Sequence, residues 1–281
     1  MAEQPTLVLL HGLGANRHVW DGVAELWSGG VFAPDLRGHG AAPWFDRYSF
    51  GAMAADVAEM LADAHGDGPY VVVGHSMGGI VGLALASGWF GPTPNTAATI
   101  GVKLRWTDAE VARIPELAER PPRQFSDRDS AVEWFLKLSG LFGVVAADDE
   151  RISNAIDAGT MRTDAEVRYT TDGEPVRLDP PGPAPGWCVA QDPATVEVGP
   201  PDMASLLSAA KCPVAMAVGE HDPLVAPGHH ADLASVAAAN PHTAGVTTPH
   251  VLDGLGHNAM VEDPQAVADW LTALARSAET I

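Results

Sequence analysis

Three side chains far apart in this sequence have the types needed to cleave an acyl bond. Ser76 stands in Gly74-His75-Ser76-Met77-Gly78. A serine hydroxyl is a weak nucleophile unless it is exposed and has a base beside it. A sharp strand-to-helix turn exposes it, and glycines two positions before and after let the backbone bend while neighbouring elements pass close. The flanks fit such a turn: Tyr70–Val73 is a β-branched run, and Ile80–Ala86 is apolar and reads as a helix. A helix starting just after the serine aims free N–H groups and its positive dipole end at the site. The serine then needs a base, and the base an orienting acid. Of eleven histidines, His257 lies in Leu255-Gly256-His257-Asn258, after the late apolar run Val246–Leu252. Asp222 lies in Gly219-Glu220-His221-Asp222-Pro223, after the run Pro213–Val218. Both fall at the carboxyl ends of predicted strands, where open α/β sheets place their sites. Asp108 and Glu220 are the substitute acids, and the plain alternative for Asp222 is a turn or cap residue before Pro223.

An acyl-transfer oxyanion needs two donors. The Met77 N–H is one candidate. The other is the Leu13 N–H, in the loop His11-Gly12-Leu13-Gly14 after the first apolar run Thr6–Leu10. The plainer reading of His11-Gly12 is a turn. Asp35, Arg37 and His39 are read as ion-pairing and turn residues, His75 as a packing residue, and His18 and Trp20 as candidates for the site entrance. His229 and His230 would diverge on a helix, and His221 and His242 have no partner at ligand spacing, so no metal is expected. Gly12-Leu13-Gly14 lacks the third glycine of a dinucleotide fingerprint, so no nucleotide and no cofactor are expected.

These groups must be held by alternating elements. Thr6–Leu10, Gly30–Pro34, Tyr70–Val73, Thr96–Val102, Pro213–Val218 and Val246–Leu252 read as strands, and Ser49–His65 as a helix with Ser49 at its N-cap. Ala231–Ala239 and Pro264–Ala278 also read as helices. The alternation predicts βαβ units and a mostly parallel sheet flanked by helices. Between residues 103 and 201 the strand runs stop. Thr107–Glu119, Asp127–Phe142 and Asp148–Gly159 read as helices, and Arg168–Gln191, rich in proline, glycine and aspartate, as irregular. The division is therefore a core of residues 1–102 and 202–281 with a mainly helical cap insertion at 103–201. Trp106, Trp134, Phe135 and Leu138 are the candidates for an apolar substrate pocket under that cap.

The chain has 281 residues, 16 Lys and Arg against 36 Asp and Glu, and a formal net charge of −20. Such a surface repels phosphate backbones and anionic membranes, which argues against nucleic-acid or membrane partners and for a small-molecule substrate. With 46% hydrophobic residues there is material for a large core. Two cysteines make no disulfide framework, the first residues lack a basic signal-peptide region, and no run is long enough to span a membrane, so a cytoplasmic location is expected.

In combination, His11-Gly12-Leu13-Gly14, Asp35-Leu36-Arg37-Gly38-His39-Gly40, Gly74–Gly79, Gly219–Pro223 and Gly256-His257 resemble the α/β-hydrolase superfamily over about half of the chain. The resemblance implies Ser76 as nucleophile, Asp222 as acid, His257 as base, Leu13 and Met77 as oxyanion donors, and a variable cap. It departs in starting at the strand that is third in the family. The expected activity is hydrolysis of a small or medium, fairly apolar ester, thioester or lactone. Carbon–carbon bond hydrolysis or lyase chemistry on the same triad, and a non-catalytic binder, are the alternatives.

Overall fold

A computed structural model describes residues 4–65, 68–162, 167–169, 175–177 and 186–278. Its main sheet has six parallel strands in the order His250–Leu252, Val214–Gly219, Thr96–Ile100, Tyr70–His75, Thr6–Leu10, Val31–Phe32. Alternate residues of a strand face opposite sides, and here both sides are apolar. Val8, Leu10 and Val72 pack with Met53, Val57 and Leu61 of the Phe50–His65 helix and with the Met77–Ala86 helix. Leu7, Leu9, Val71 and Val73 pack on the other face with Trp20, Val23 and Trp270. Burial on both faces is why these runs lack polar alternation.

The register brings the strand ends together. Leu10 pairs with Gly74, His75 with Ile100, Ile100 with Ala217, and Gly219 with Leu252. The loops carrying residues 11–14, 76, 101, 220–222 and 253–257 therefore leave one edge of the sheet side by side.

Between the adjacent strands Thr96–Ile100 and Val214–Gly219 runs the insertion. Its helices are Asp108–Ala118, Arg128–Leu138 and Ser153–Gly159. Arg128–Leu138 buries Ala131, Val132, Phe135 and Leu136, whereas Asp108–Ala118 buries nothing. It is held at its start by a capping box, Thr107 accepting from the Glu110 N–H while the Glu110 carboxylate accepts from the Thr107 N–H.

Several elements differ from the sequence expectation, for local reasons. The Gly30–Pro34 run makes only the two-residue strand Val31–Phe32 at the sheet edge, before Pro34. The last strand begins at His250, after Pro249, because a proline has no N–H for the ladder. The helix expected over Asp127–Phe142 ends at Leu138, where Gly140 adopts φ +74° and turns the chain. Asp148–Gly159 splits into a 3₁₀ turn at Glu150–Ile152 and the helix Ser153–Gly159. The helix expected over Ala231–Ala239 is α-helical only at Ala234–Ala239, after a 3₁₀ segment Pro227–Leu233. Met203–Ala209 is a further helix that no periodicity announced. The stretch read as irregular contains the short strands Val167–Tyr169, Pro175–Arg177 and Trp187–Val189. Its positions 170–174 and 178–185 lie outside the described residues.

Candidate active site

Ser76 follows the Tyr70–His75 strand and directly precedes the Met77–Ala86 helix. It has φ 49° and ψ −114°, and it is the single non-glycine residue with positive φ among the described residues. Such a backbone costs ~1–3 kcal/mol and persists only where the surroundings impose it. They do so here by close approach. A Cβ on Gly74 would sit 2.2 Å from the Gly78 carbonyl oxygen, and one on Gly78 would sit 2.4 Å from that of Leu10. The Ser76 N–H is anchored to the Ile100 carbonyl at 2.8 Å. The hydroxyl is thus lifted off the sheet edge at the mouth of a cavity. The Met77 N–H is the first of the helix donors that no helical carbonyl can reach.

On the neighbouring loops, His257 Nδ1 donates to Asp222 Oδ2 at 2.8 Å, and the Asp222 side chain is fully buried. Its other oxygen accepts from the N–H groups of Leu224 at 2.8 Å and Val225 at 3.1 Å, so the carboxylate is fixed from both ends. Gly101 closes the back of this pair. It has φ +64°, and a Cβ there would lie 3.1 Å from His257 Nδ1 and 3.2 Å from Asp222 Oδ2. Nothing in its sequence context marked Gly101; only the fold brings it here. The bond to Asp222 leaves His257 Nε2 as the nitrogen available to a hydroxyl. No hydrogen bond joins it to Ser76 among those formed by the described residues. Sites of this kind commonly tighten that contact only when substrate is bound.

Three buried histidines surround the site. The Leu36 N–H donates to His11 Nε2 at 2.9 Å, so the His11 proton sits on Nδ1, which faces the Gly12 carbonyl. His39 packs edge-on against His11 with ring centroids 5.1 Å apart. Burial, reinforced by His11, pushes His39 down to about 3. His75 donates from Nε2 to the His257 carbonyl at 2.9 Å, and burial, reinforced by the charge His257 can carry, holds it well below the usual histidine range. Asp35 accepts from the Arg17 and Ala41 N–H groups, and Arg37 forms a two-pronged pair with Asp56.

The cavity at Ser76 has a volume of about 300 Å³. Leu13, Met77 and Ile80 line its base, and Ile114 and Leu117 of the Asp108–Ala118 helix line it together with Val196 and Val198. Trp106, Lys103, Glu110 and Arg113 also line it. Lys103 pairs with Glu110 and lies over the Trp106 ring at 4.7 Å. Of the four residues expected to bind substrate, the structure brings only Trp106 to this cavity. Trp134 and Leu138 line a separate cavity of about 260 Å³, which shares Leu117 and Val196 with the first. Phe135 is 1% exposed and lies in the core against Gly159, because it is on the inward face of its helix. Trp20 is likewise buried in the core, and His18 pairs with Asp21 at 3.1 Å. The wall from residues 196–201 was not foreseen: the end of the short 3₁₀ helix Pro193–Val198 and the bend after it carry no apolar periodicity to betray it. Among the described residues, no group of three or more His, Cys, Asp or Glu side chains is arranged to hold a metal ion, and no helix is long and apolar enough to cross a membrane.

A model of the alpha/beta hydrolase family matches residues 7–270. The lipase LipV of Mycobacterium tuberculosis is 42% identical over 85 residues, covering 30% of this chain and 32% of that protein. A pimeloyl-[acyl-carrier protein] methyl ester esterase of Neisseria meningitidis is 39% identical over 83 residues, covering 28% of this chain and 30% of that one. The chain thus spans less than a third of the length of these curated relatives. In fold, the thioesterase domain from the curacin biosynthetic pathway superposes with a TM-score of 0.68 at 18% identity, covering 97% of this chain and 92% of that one.

Proposed function

The chain belongs to the alpha/beta hydrolase family, and on that premise we propose that it is a serine hydrolase of carboxylic esters, acting through Ser76, His257 and Asp222. The observation that carries the reading is the buried Asp222–His257 hydrogen bond at 2.8 Å, formed on loops that leave the same sheet edge as the strained Ser76. His257 Nε2 takes the Ser76 proton as Oγ bonds to the substrate carbonyl carbon. The carbonyl oxygen becomes an oxyanion, stabilised by the Leu13 and Met77 N–H groups. His257 returns the proton to the departing alcohol or thiol, and the carbon–oxygen or carbon–sulfur bond breaks. Water, deprotonated by the same imidazole, then releases the acid and restores Ser76. Asp222 keeps the imidazole in the Nδ1–H tautomer and stabilises its cation throughout.

The apolar walls and 300 Å³ volume of the cavity suit a small or medium, fairly apolar acyl group. The names of the lipase and methyl ester esterase relatives agree with ester chemistry, and that of the thioesterase extends it to thioesters.

The test combines turnover of short-chain chromogenic esters with covalent labelling by a fluorophosphonate. The wild type should hydrolyse the esters and take up one label at Ser76, and Ser76→Ala should do neither. Labelling without ester turnover would transfer the triad to a different reaction, such as carbon–carbon bond hydrolysis. Ester turnover that survives in Ser76→Ala would overturn the reading.

A further inference from the structure

The residue before the nucleophile does more than fill space. His75 is 3% exposed, and its ring touches both loops that flank Ser76. On one side, Nε2 lies 2.9 Å from the backbone carbonyl oxygen of His257. A carbonyl only accepts, so Nε2 carries the proton. The His75 ring also meets the His257 ring edge-on, with centroids 4.6 Å apart and planes inclined at 61°. On the other side, the ring abuts the backbone of Gly12: a Cβ there would be 2.7 Å from His75 Nδ1 and 3.1 Å from Cε1. Nδ1 is buried without a hydrogen-bond partner. A proton on it would be an unpartnered buried N–H on a cation, so the ring stays neutral.

We propose that His75 is a positioning residue for the reaction: its Nε2–H suspends the His257 loop at the height Ser76 requires, while its opposite edge spaces the loop that carries Leu13. The proposal rests on the serine-hydrolase reading above. The two contacts have different chemical demands. Contact with Gly12 needs bulk only. The His257 carbonyl needs a donor, and without one it is left facing a non-polar group, which releases the side-chain hydrogen bond that ties the His257 backbone to the strand end beneath it. Neutrality matters as well. During turnover His257 becomes a cation, and a charged ring 4.6 Å away would oppose it. A buried Nδ1 without a hydrogen-bond partner keeps that charge from forming.

His75→Leu and His75→Gln separate donor from bulk. Leucine fills the ring's space and donates nothing; the glutamine amide reaches the same carbonyl with an N–H. A shift of about 1 Å in a reacting group can cost ~100-fold in rate. His75→Leu should therefore lower kcat by about 10- to 100-fold with KM changed less than about twofold, and His75→Gln should recover to within about fivefold of wild type. Fluorophosphonate labelling of Ser76 should slow in parallel. A leucine variant as active as the glutamine variant, or more so, would show that the ring only packs, and would overturn the proposal. Nitrogen-15 NMR of the wild type provides a readout that needs neither variant nor turnover. It should show His75 as the Nε2–H tautomer, still unprotonated at a pH where a free imidazole is charged; an Nδ1–H tautomer or a ring titrating like a free imidazole would also overturn it. Absence of both turnover and Ser76 labelling in the wild type strikes the serine-hydrolase reading first, and the proposal falls with it, whatever the NMR shows.

Discussion

Holding His39 and His75 neutral inside the fold makes stability depend on acid. An unfolded chain binds a proton at each ring near the free value of 6.5, whereas the folded chain does not: burial pushes His39 to about 3 and holds His75 well below the usual range. The unfolded state therefore gains protons as pH falls, so the stability is fully present above 6.5 and is lost progressively below it. One unit below the free pKa, each such ring costs about 1.4 kcal/mol, and two cost about 3 kcal/mol. That is a large part of the ~5–15 kcal/mol that holds an ordinary domain together. Urea unfolding measured at about pH 7.5 and again at about pH 5.5 reads the effect of these rings together with that of His11 and His230, which burial also holds below the usual histidine range; ordinary carboxylates titrate lower, near ~4. Unfolding free energy should drop by at least about 3 kcal/mol between the two, with the slope against urea unchanged. His39→Gln should remove about 1.4 kcal/mol of the drop. Equal stability at the two pH values, or a rise at the lower one, would refute the argument that these rings are kept uncharged.

Three further outcomes follow from where side chains sit. Phe135→Ala should cost ~3–5 kcal/mol of stability because it empties a core site against Gly159. Trp106→Ala, at the rim of the Ser76 cavity, should instead shift ester KM with a melting temperature within a few degrees of wild type, and equal thermal losses in the two variants would contradict this division. Gly101→Ala puts a methyl at φ +64° within 3.2 Å of both Asp222 and His257; it should lower kcat at least ~10-fold, and full activity would mean the Asp–His pair is not constrained from behind.

Much of this was legible in the sequence, for reasons that differ between elements. Sheet strands buried on both faces announce themselves as β-branched and apolar runs, and the turn after Tyr70–His75 is marked by glycines that no other residue can replace. The Asp222–His257 pair was readable because strand ends converge at one edge and each residue follows a strand. The cavity wall was not. Phe135 and Trp134 are neighbours on one helix, and periodicity marks both as apolar without saying which faces the core and which another cavity. Gly101 and residues 196–201 reach the site through tertiary placement alone. Proline set element ends that hydropathy blurred, at Pro34 and Pro249.

The Asp108–Ala118 helix buries none of its residues and yet supplies one wall of the Ser76 cavity. Most substitutions that eliminate a protein do so by unfolding it, and exposed positions are largely spared that filter. Drift along this helix is therefore screened by what the cavity admits and hardly at all by whether the chain folds. Lineages inheriting this scaffold can reshape the cavity at positions 113, 114 and 117 while the sheet edge beneath it stays still.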